Sequence, residues 1–279
     1  MTDGSAGTLP AGQFAGRTEL SHNARQVRFV ETSYQAGAVL GRHAHDRAHL
    51  CFVLEGAYTE TVDSATGHRA AYSLGFLPEH CPHDESHRTF GRHFIVEIAP
   101  ELAEELSDRQ TPPHAAVLDG SAVLLAARLY AQFRSAPDAE ALSADLVHEL
   151  LAKCYAPLYL DRPAWVQRAR EIIREKYQGT VRLGTLAADA GVHPVHLAQT
   201  FRRVYGRSVG QFLRQVRVEH ACRELTAGRL PISEIAYGSG FADQSHLSRC
   251  FKRVIGVTPR RYRRLTAPGQ TPKGVQDLV

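Results

Sequence analysis

The sequence contains no uninterrupted apolar run long enough for a bilayer-spanning helix, so a membrane-embedded chain is not expected. Near its start there is no basic stretch followed by an apolar core, and no secretory signal is expected. Cysteine is scarce. Five occur in 279 residues, an odd number without paired spacing, which fits reduced thiols in a cytoplasm rather than a disulfide framework. The net charge is also low, +4 with histidine neutral, but it conceals an asymmetry. Residues 164–279 hold 20 Lys and Arg against 8 Asp and Glu, while residues 1–163 hold 13 against 21. The basic half suits a polyanionic partner and the acidic half does not. What is present is ordinary for a soluble globular chain: 43% hydrophobic and 22% charged residues, with length enough for two domains.

The basic half reads one pattern twice. Val195-His-Leu-Ala-Gln-Thr-Phe-Arg-Arg-Val-Tyr-Gly206 recurs as Ser245-His-Leu-Ser-Arg-Cys-Phe-Lys-Arg-Val-Ile-Gly256, with six of twelve positions identical. Just upstream, Leu186-Ala-Ala-Asp-Ala-Gly191 corresponds to Ile235-Ala-Tyr-Gly-Ser-Gly240, offset by forty-nine instead of fifty. Such a repeat implies two copies of one supersecondary unit with a short insertion. Each copy reads as helix, tight turn, helix. Ala187 and Ala236 allow a close helix approach, Gly191 and Gly240 suit a turn of positive φ, and Pro194 and Asp243 open the second helix.

In that second helix, Leu197, Phe201 and Val204 share one face, as do Leu247, Phe251 and Val254. The opposite face carries Val195, Gln199 and Arg202 in the first copy, and Ser245, Arg249 and Lys252 in the second, flanked by Arg203 and Arg253. An apolar back and a polar, basic front is what a helix in a DNA major groove needs. One such helix alone would be read as a solvated amphipathic face. Two copies, each with turn glycine and basic tip, point to DNA. Between them, residues 208–227 read as one continuous helix with Phe212, Val216, Ala221 and Leu225 available for packing. Its length of roughly 30 Å is close to the spacing of about 34 Å between successive major grooves.

The stretch Ile232-Ser-Glu-Ile-Ala-Tyr-Gly-Ser-Gly-Phe-Ala-Asp-Gln-Ser-His-Leu-Ser-Arg-Cys-Phe-Lys-Arg-Val-Ile-Gly-Val-Thr-Pro-Arg-Arg-Tyr-Arg263 resembles the C-terminal signature of the AraC/XylS family of bacterial transcription regulators, over about residues 164–265. The resemblance implies seven helices and a base-reading helix in each unit. Carried over, the readers are Val195 and Gln199, and Gln244, Ser245, His246 and Arg249. The chemistry agrees: Gln suits adenine, Arg suits guanine, and Val195 suits a thymine methyl. His193 stands where the family usually has Ser, and Leu247 where an aromatic is common.

In the acidic half, residues 1–24 are rich in Gly, Ala, Ser and Thr and are expected to be a mobile tail. Strand-forming stretches follow at 27–34, 49–54, 58–62, 70–77 and 93–98, separated by Gly and Pro turns, which suggests a small barrel or jelly roll. Helices are expected at 100–108, 122–133 and 139–155, with Leu125, Leu129, Phe133, Leu142, Leu146 and Leu150 at helical spacing. Residues 157–163 read as a linker and 266–279 as a loose tail.

Histidine clusters here: eight of the fifteen fall between His43 and His93. The arrangement Gly37-x5-His43-x-His45-x3-His49-x6-Gly56 resembles the first motif of the cupin superfamily, with His49 in place of its usual Glu. Pro78-x-His80-x2-His83-x3-His87 is similar to the second motif. The resemblance implies that His43, His45, His49 and His83 border an effector cavity or hold one divalent transition metal, for which imidazole would suit Zn, Ni, Cu or Fe(II). Strand alternation lets His43 and His45 converge. In sensor domains of the regulator family, such histidines instead contact an effector or an N-terminal arm. His68, His93 and His114 are expected at the surface, and Cys51 in a strand. Cys81, beside His80 and His83, is a candidate reactive thiol or soft ligand. No second carboxylate is evident near the cluster, which speaks against hydrolytic or oxygenase chemistry.

These readings combine into an α+β chain of two domains. The expected layout is a flexible tail at 1–24, a cupin-like β-barrel with flanking helices at 25–115, and a helical dimerisation and linker region at 116–162. An all-α domain with two helix-turn-helix units follows at 163–265, and a tail at 266–279. The expected function is sequence-specific transcription regulation, leaning to activation, controlled by a small effector and not by catalysis. Partners would be double-stranded DNA, the effector, RNA polymerase and a second copy of the chain, in the cytoplasm. The other readings are a metal- or redox-sensing regulator, and a metal-dependent cupin enzyme fused to a DNA-binding module.

Overall fold

The structure, a computed structural model, describes residues 7–24, 26–107, 115–118, 120–135, 142, 144–154 and 163–267. The chain divides into two units, Met1–Ala156 with Leu265–Val279, and Pro157–Arg264. A β-rich unit and a helical unit make the two-domain α+β architecture expected of the sequence.

The first unit runs β1 (Gly7–Leu9), β2 (Arg17–Asn23), β3 (Val27–Tyr34), β4 (Val39–His45), β5 (His49–Glu55), β6 (Ala57–Val62), β7 (Ala65–Ala70), β8 (Leu74–Leu77), β9 (His83–His87) and β10 (Gly91–Ile98). Then come α1 (Pro100–Ser107), β11 (Ala116–Leu118), α2 (Ser121–Phe133) and α3 (Ala144–Cys154). Two sheets result, ordered β1-β4-β9-β6-β7 and β11-β8-β5-β10-β3-β2. In the first, β9 alternates between buried His83, Glu85 and His87 and half-buried Asp84 and Ser86. That is the signature of a sheet with one wet face. In the second, β10 is buried at every position. Phe133 of α2 explains this, its ring lying 6.3 Å from Phe29 and 5.0 Å from Phe94 on the outer face of that sheet. Between sheet and helix, the buried Glu31 carboxylate takes hydrogen bonds from Arg134 (2.9 Å) and Tyr130 (3.1 Å). A buried charge needs such a partner.

Three expectations change. Within the stretch read as a mobile tail, β1 pairs with β4 and β2 with β3. The small-residue composition hid this, because both partners are distant in sequence. His93 is not at the surface but almost fully buried inside the barrel, while His68 is exposed. The apolar stripes of the helix pair are consumed inside the unit: Leu125, Leu129, Phe133, Leu146 and Leu150 are all buried. Expectations for His114, for the linker at 157–162 and for the tail from 268 fall outside the described residues. No helix among the described residues is long and apolar enough to cross a membrane.

The second unit consists of α4 (Ala164–Glu175), α5 (Leu183–Asp189), α6 (Pro194–Tyr205), α7 (Val209–Ala227), α8 (Ile232–Gly238), α9 (Gln244–Ile255) and α10 (Pro259–Thr266) up to Arg264. The N-terminal half of α7 supplies Val209, Phe212 and Val216 to a core with Val166, Ile173, Leu186, Leu197 and Phe201. Its C-terminal half buries Val218, Ala221, Cys222 and Leu225, and α8 and α9 pack there. This helix is buried on two sides along its length, so its sequence shows no single apolar stripe. Arg174 and Glu219 close the joint with an ion pair of 2.9 Å.

Candidate DNA-reading surface and histidine chamber

The two helix-turn-helix units share their fine geometry. Gly191 and Gly240 have φ of 69° and 79°, and each is followed by an amide that returns to the first helix: Val192 N–H to Ala187 O, Phe241 N–H to Ala236 O. The one-residue insertion is Ala242, between that amide and the cap. His193 caps α6, its Nδ1 accepting from the Val195 amide at 3.3 Å, and Asp243 caps α9, accepting from the His246 amide at 2.7 Å. The imidazole therefore does in the first unit what a Ser would do. Each helix closes on a left-handed glycine, Gly206 and Gly256.

The two turns differ in one respect. A Cβ on Gly191 would meet nothing within 4 Å, whereas one on Gly240 would lie 2.7 Å from the carbonyl oxygen of Tyr177. Arg217 donates to that same carbonyl and to Gly179 O, both at 2.8 Å. The second turn is thereby seated against the α4–α5 connection. Gly191→Ala is expected to cost about 1 kcal/mol, the left-handed penalty alone, and Gly240→Ala about 2–3 kcal/mol. Equal shifts in chemical denaturation would show that the seat carries no weight.

The reading faces point outward. Val195, Gln199, Arg202 and Arg203 of α6 are exposed, as are Gln244, Ser245, Arg249, Lys252 and Arg253 of α9. Val195 is 56% exposed, an unusual position for an apolar side chain and a suitable one for a methyl contact. No acidic side chain pairs with Arg202, Arg203, Arg249, Lys252 or Arg253 among the described residues. His246 is half-buried, edge-on to Phe241 at 5.3 Å, which limits it to the margin of the face. His196 is exposed beside Trp165 and was not singled out by the repeat pattern.

The barrel brings the histidines together. Strands β4 and β9 pair with His43 opposite His83, and His45 follows on the same face. One donor nitrogen from each of His43, His45 and His83 lies within 4.8 Å of the others. His43 Nδ1 lies 2.9 Å from Gly41 O and His83 Nδ1 lies 3.0 Å from Cys81 O. Both rings thus turn Nε2 inward. His49, the fourth expected member, stands aside: its ring is 4.6 Å from His45 but 6.4 Å from His83, and Phe14 packs edge-on to it at 5.7 Å. Phe14 also lies 5.0 Å from His45. Its segment is tied down by Ala11 N–H to Asp46 and Gly12 N–H to Glu97. Part of the supposed tail therefore closes this chamber.

Burial pushes His45 down to about 2 and His49 to about 4, so both are neutral at physiological pH. Deeper in, Glu85 Oε2 accepts from His87 at 3.0 Å, and that bond with the surrounding imidazoles outweighs burial and holds the carboxyl below its usual value. Glu85 Oε1 is 4.0 Å from His83 Nε2. The sequence reading missed this carboxylate, although His83 and Glu85, two apart on a strand, had to share a face. Cys81 does not join the histidines. Its thiol faces a separate cavity with Glu60, Arg69, Phe76 and Val117, and burial raises its pKa. Cys51 lies in β5 as expected, its thiol also raised by burial.

Two matched helix-turn-helix units on one shared helix define a DNA-binding domain. Residues 186–265 match the helix-turn-helix domain family. Over 79 residues the chain is 42% identical to the transcriptional regulator GlxA of Rhizobium meliloti, covering 28% of this chain and 24% of that protein. Over 71 residues it is 44% identical to the transcriptional activator RhaR of Escherichia coli K12, covering 25% of each. Among solved structures, the C-terminal domain of AraT, a response regulator from Geobacillus stearothermophilus, is 33% identical over 38% of this chain and 88% of that chain, with a TM-score of 0.36. The matched part spans about a quarter of the length of these curated relatives. The C-terminal unit belongs to the AraC family of DNA-binding domains.

Proposed function

We propose that this protein is a one-component transcription regulator whose helical unit reads two adjacent major grooves and whose barrel receives the signal. The reading is carried by one observation: the same exposed, basic face is presented twice within one unit, on α6 and α9. Base contacts are assigned to Val195, Gln199, Gln244, Ser245, His246 and Arg249. Phosphate contacts fall to Arg202, Arg203, Lys252 and Arg253, because a cation at the last turn of a groove-lying helix meets the backbone. Double-stranded DNA is the partner. Activation, contact with RNA polymerase and a homodimer are the further parts of this reading, in a cytoplasmic chain. The barrel is read as a sensor and not as an enzyme.

Arg249 gives the direct test. Arg249→Ala is expected to weaken specific binding by about 1–3 kcal/mol and to relax preference at one base pair. Selection from a random duplex pool measures both. A loss uniform over all sequences would instead place Arg249 on a phosphate.

A signal reaches DNA only if the ligand binds one state of the chain better than another. Unchanged DNA affinity with and without the ligand would remove the sensor role. Two places in the barrel offer themselves. The histidine chamber has room for about one water molecule, some 10 Å³. The open cavity at Glu60, Arg69, Cys81 and Val117, about 570 Å³, is of the size that small organic molecules occupy. An organic effector therefore fits the second place and not the first.

A further inference from the structure

The internal repeat does not stop at two helices. Ser208-Val-Gly-Gln-Phe-Leu-Arg214 aligns with Thr258-Pro-Arg-Arg-Tyr-Arg-Arg264 at the same offset of fifty, so α10 is the second copy of the opening of α7. The structure matches the two position by position. Ser208 and Thr258 cap their helices, their hydroxyls accepting from the amides of Gln211 and Arg261, each at 3.3 Å. Phe212 lies edge-on to Phe201 at 5.4 Å, and Tyr262 edge-on to Phe251 at 5.3 Å. Val209 and Pro259 are buried, and Leu213 and Arg263 are half-buried.

Equal packing makes the first copy a control for the second. The exposed positions of the first are Gly210, Gln211 and Arg214, and those of the second are Arg260, Arg261 and Arg264. Where one copy carries one cation, the other carries three. The fold does not need the added charge, because Gly and Gln serve at the same places in the first unit. Nor does the chain neutralise it: among the described residues none of the three arginines has an acidic partner. Arg260 and Arg264, four apart on one helix, repel each other. A solvated face asks only for polarity, whereas charge of one sign that neither packing nor pairing explains suits an anionic partner. Arg263 is different. Its Nη2 donates to Leu230 O at 2.6 Å and ties α10 to the α7–α8 connection.

Continuity with the reading face identifies the partner. Lys252 and Arg253, read above as phosphate contacts, lie on the last turn of α9, and only Gly256-Val257-Thr258 separates α9 from α10. A second set of cations thus begins where the first ends. Guanidinium groups offer paired N–H donors that fit phosphate oxygens.

We propose that Arg260, Arg261 and Arg264 clamp the duplex backbone beyond the groove that α9 enters, so that the second unit is the anchor and the chain grips the two ends of its site unequally. The assignment rests on the transcription reading above.

The experiment uses the full-length chain and the duplex it selects from a random pool. Arg260→Gln, Arg261→Gln and Arg264→Gln combined should lower the slope of log affinity against log salt by about 2.7, and affinity by about 100-fold at about 0.15 M salt, since each phosphate contact carries about 0.9 of that slope. Lysine at the same three positions should keep most of the slope, and its loss there would overturn a role resting on charge. Hydroxyl-radical footprinting should show wild-type protection running further at one end of the site, the end whose base preference Arg249→Ala relaxes. If the glutamine variant fails to fold, that wild-type footprint decides: longer protection at the α9 end supports the clamp, and equal protection at both ends overturns it. A folded glutamine variant with an unchanged salt slope would also overturn it, and would leave this face to an acidic protein surface. The two readings fail separately. A chain that selects no duplex fails as a DNA reader, and one that selects a duplex whose salt slope ignores the three arginines fails only here.

Discussion

Changing Arg202, Arg203, Lys252 and Arg253 together to alanine should weaken DNA binding about 1000-fold at about 0.15 M salt and lower the slope of log affinity against log salt by about 3.6, since each lost phosphate contact removes about 0.9 from that slope. All four side chains are exposed, so stability should move by little more than the few tenths of a kcal/mol typical of surface changes. Fluorescence anisotropy across a salt series reads both quantities, and thermal unfolding checks the fold. The result separates two roles of the same face. Base readers discriminate among sequences, whereas these four should weaken every sequence alike. A loss confined to one sequence would move some of them into the groove. An unchanged salt slope would mean that the exposed basic tips never reach a phosphate, and the assignment of both reading helices would fall with them.

The second large effect concerns stability. Phe251 lies fully buried, its ring edge-on to Tyr262 at 5.3 Å, between Leu247 and Ile255. Phe251→Ala should cost about 3–5 kcal/mol, from lost transfer energy and the cavity left behind. Phe201 occupies the equivalent place in the first unit, but the half-buried ring of Tyr205, 4.6 Å away, can move towards the gap. Phe201→Ala should therefore fall at the lower end of that range. Urea titration followed by tryptophan fluorescence reports the helical unit, because the chain's single Trp, Trp165, lies in it. A cost below about 1 kcal/mol for Phe251→Ala would mean that the second unit is loosely packed.

The helical unit was legible because its logic is local. Turn glycine, cap, apolar back and basic front all lie within about twenty residues of one another, and the pattern is written twice. The barrel was only partly legible, because its logic is not local. His83-Asp-Glu-Ser-His87 contains no strong strand former, yet it is a strand, held by β4 on one side and β6 on the other. The segment carrying Phe14 looked like a loose tail for the same reason: its anchors are Asp46 and Glu97. His93 was placed at the surface since polarity is the usual guide, but the barrel interior is itself polar, with the rings of Tyr34, Tyr58 and His87 tilted against it at 4.7, 4.9 and 5.3 Å. The three converging histidines were visible as a spacing, and Glu85 was hidden only by attention to the position where a carboxylate was expected.

The two reading helices are not copies at their tips. One presents Val195 and Gln199, the other Gln244, Ser245 and Arg249, and α7 fixes both in a single unit. A palindrome is what two identical heads require, and one chain of this kind does not require it. Its preferred site should have a left end and a right end, read in only one orientation. Reversing such a site within a promoter would exchange the ends at which α6 and α9 sit. The asymmetry of a few side chains thus gives the bound protein a heading along the chromosome.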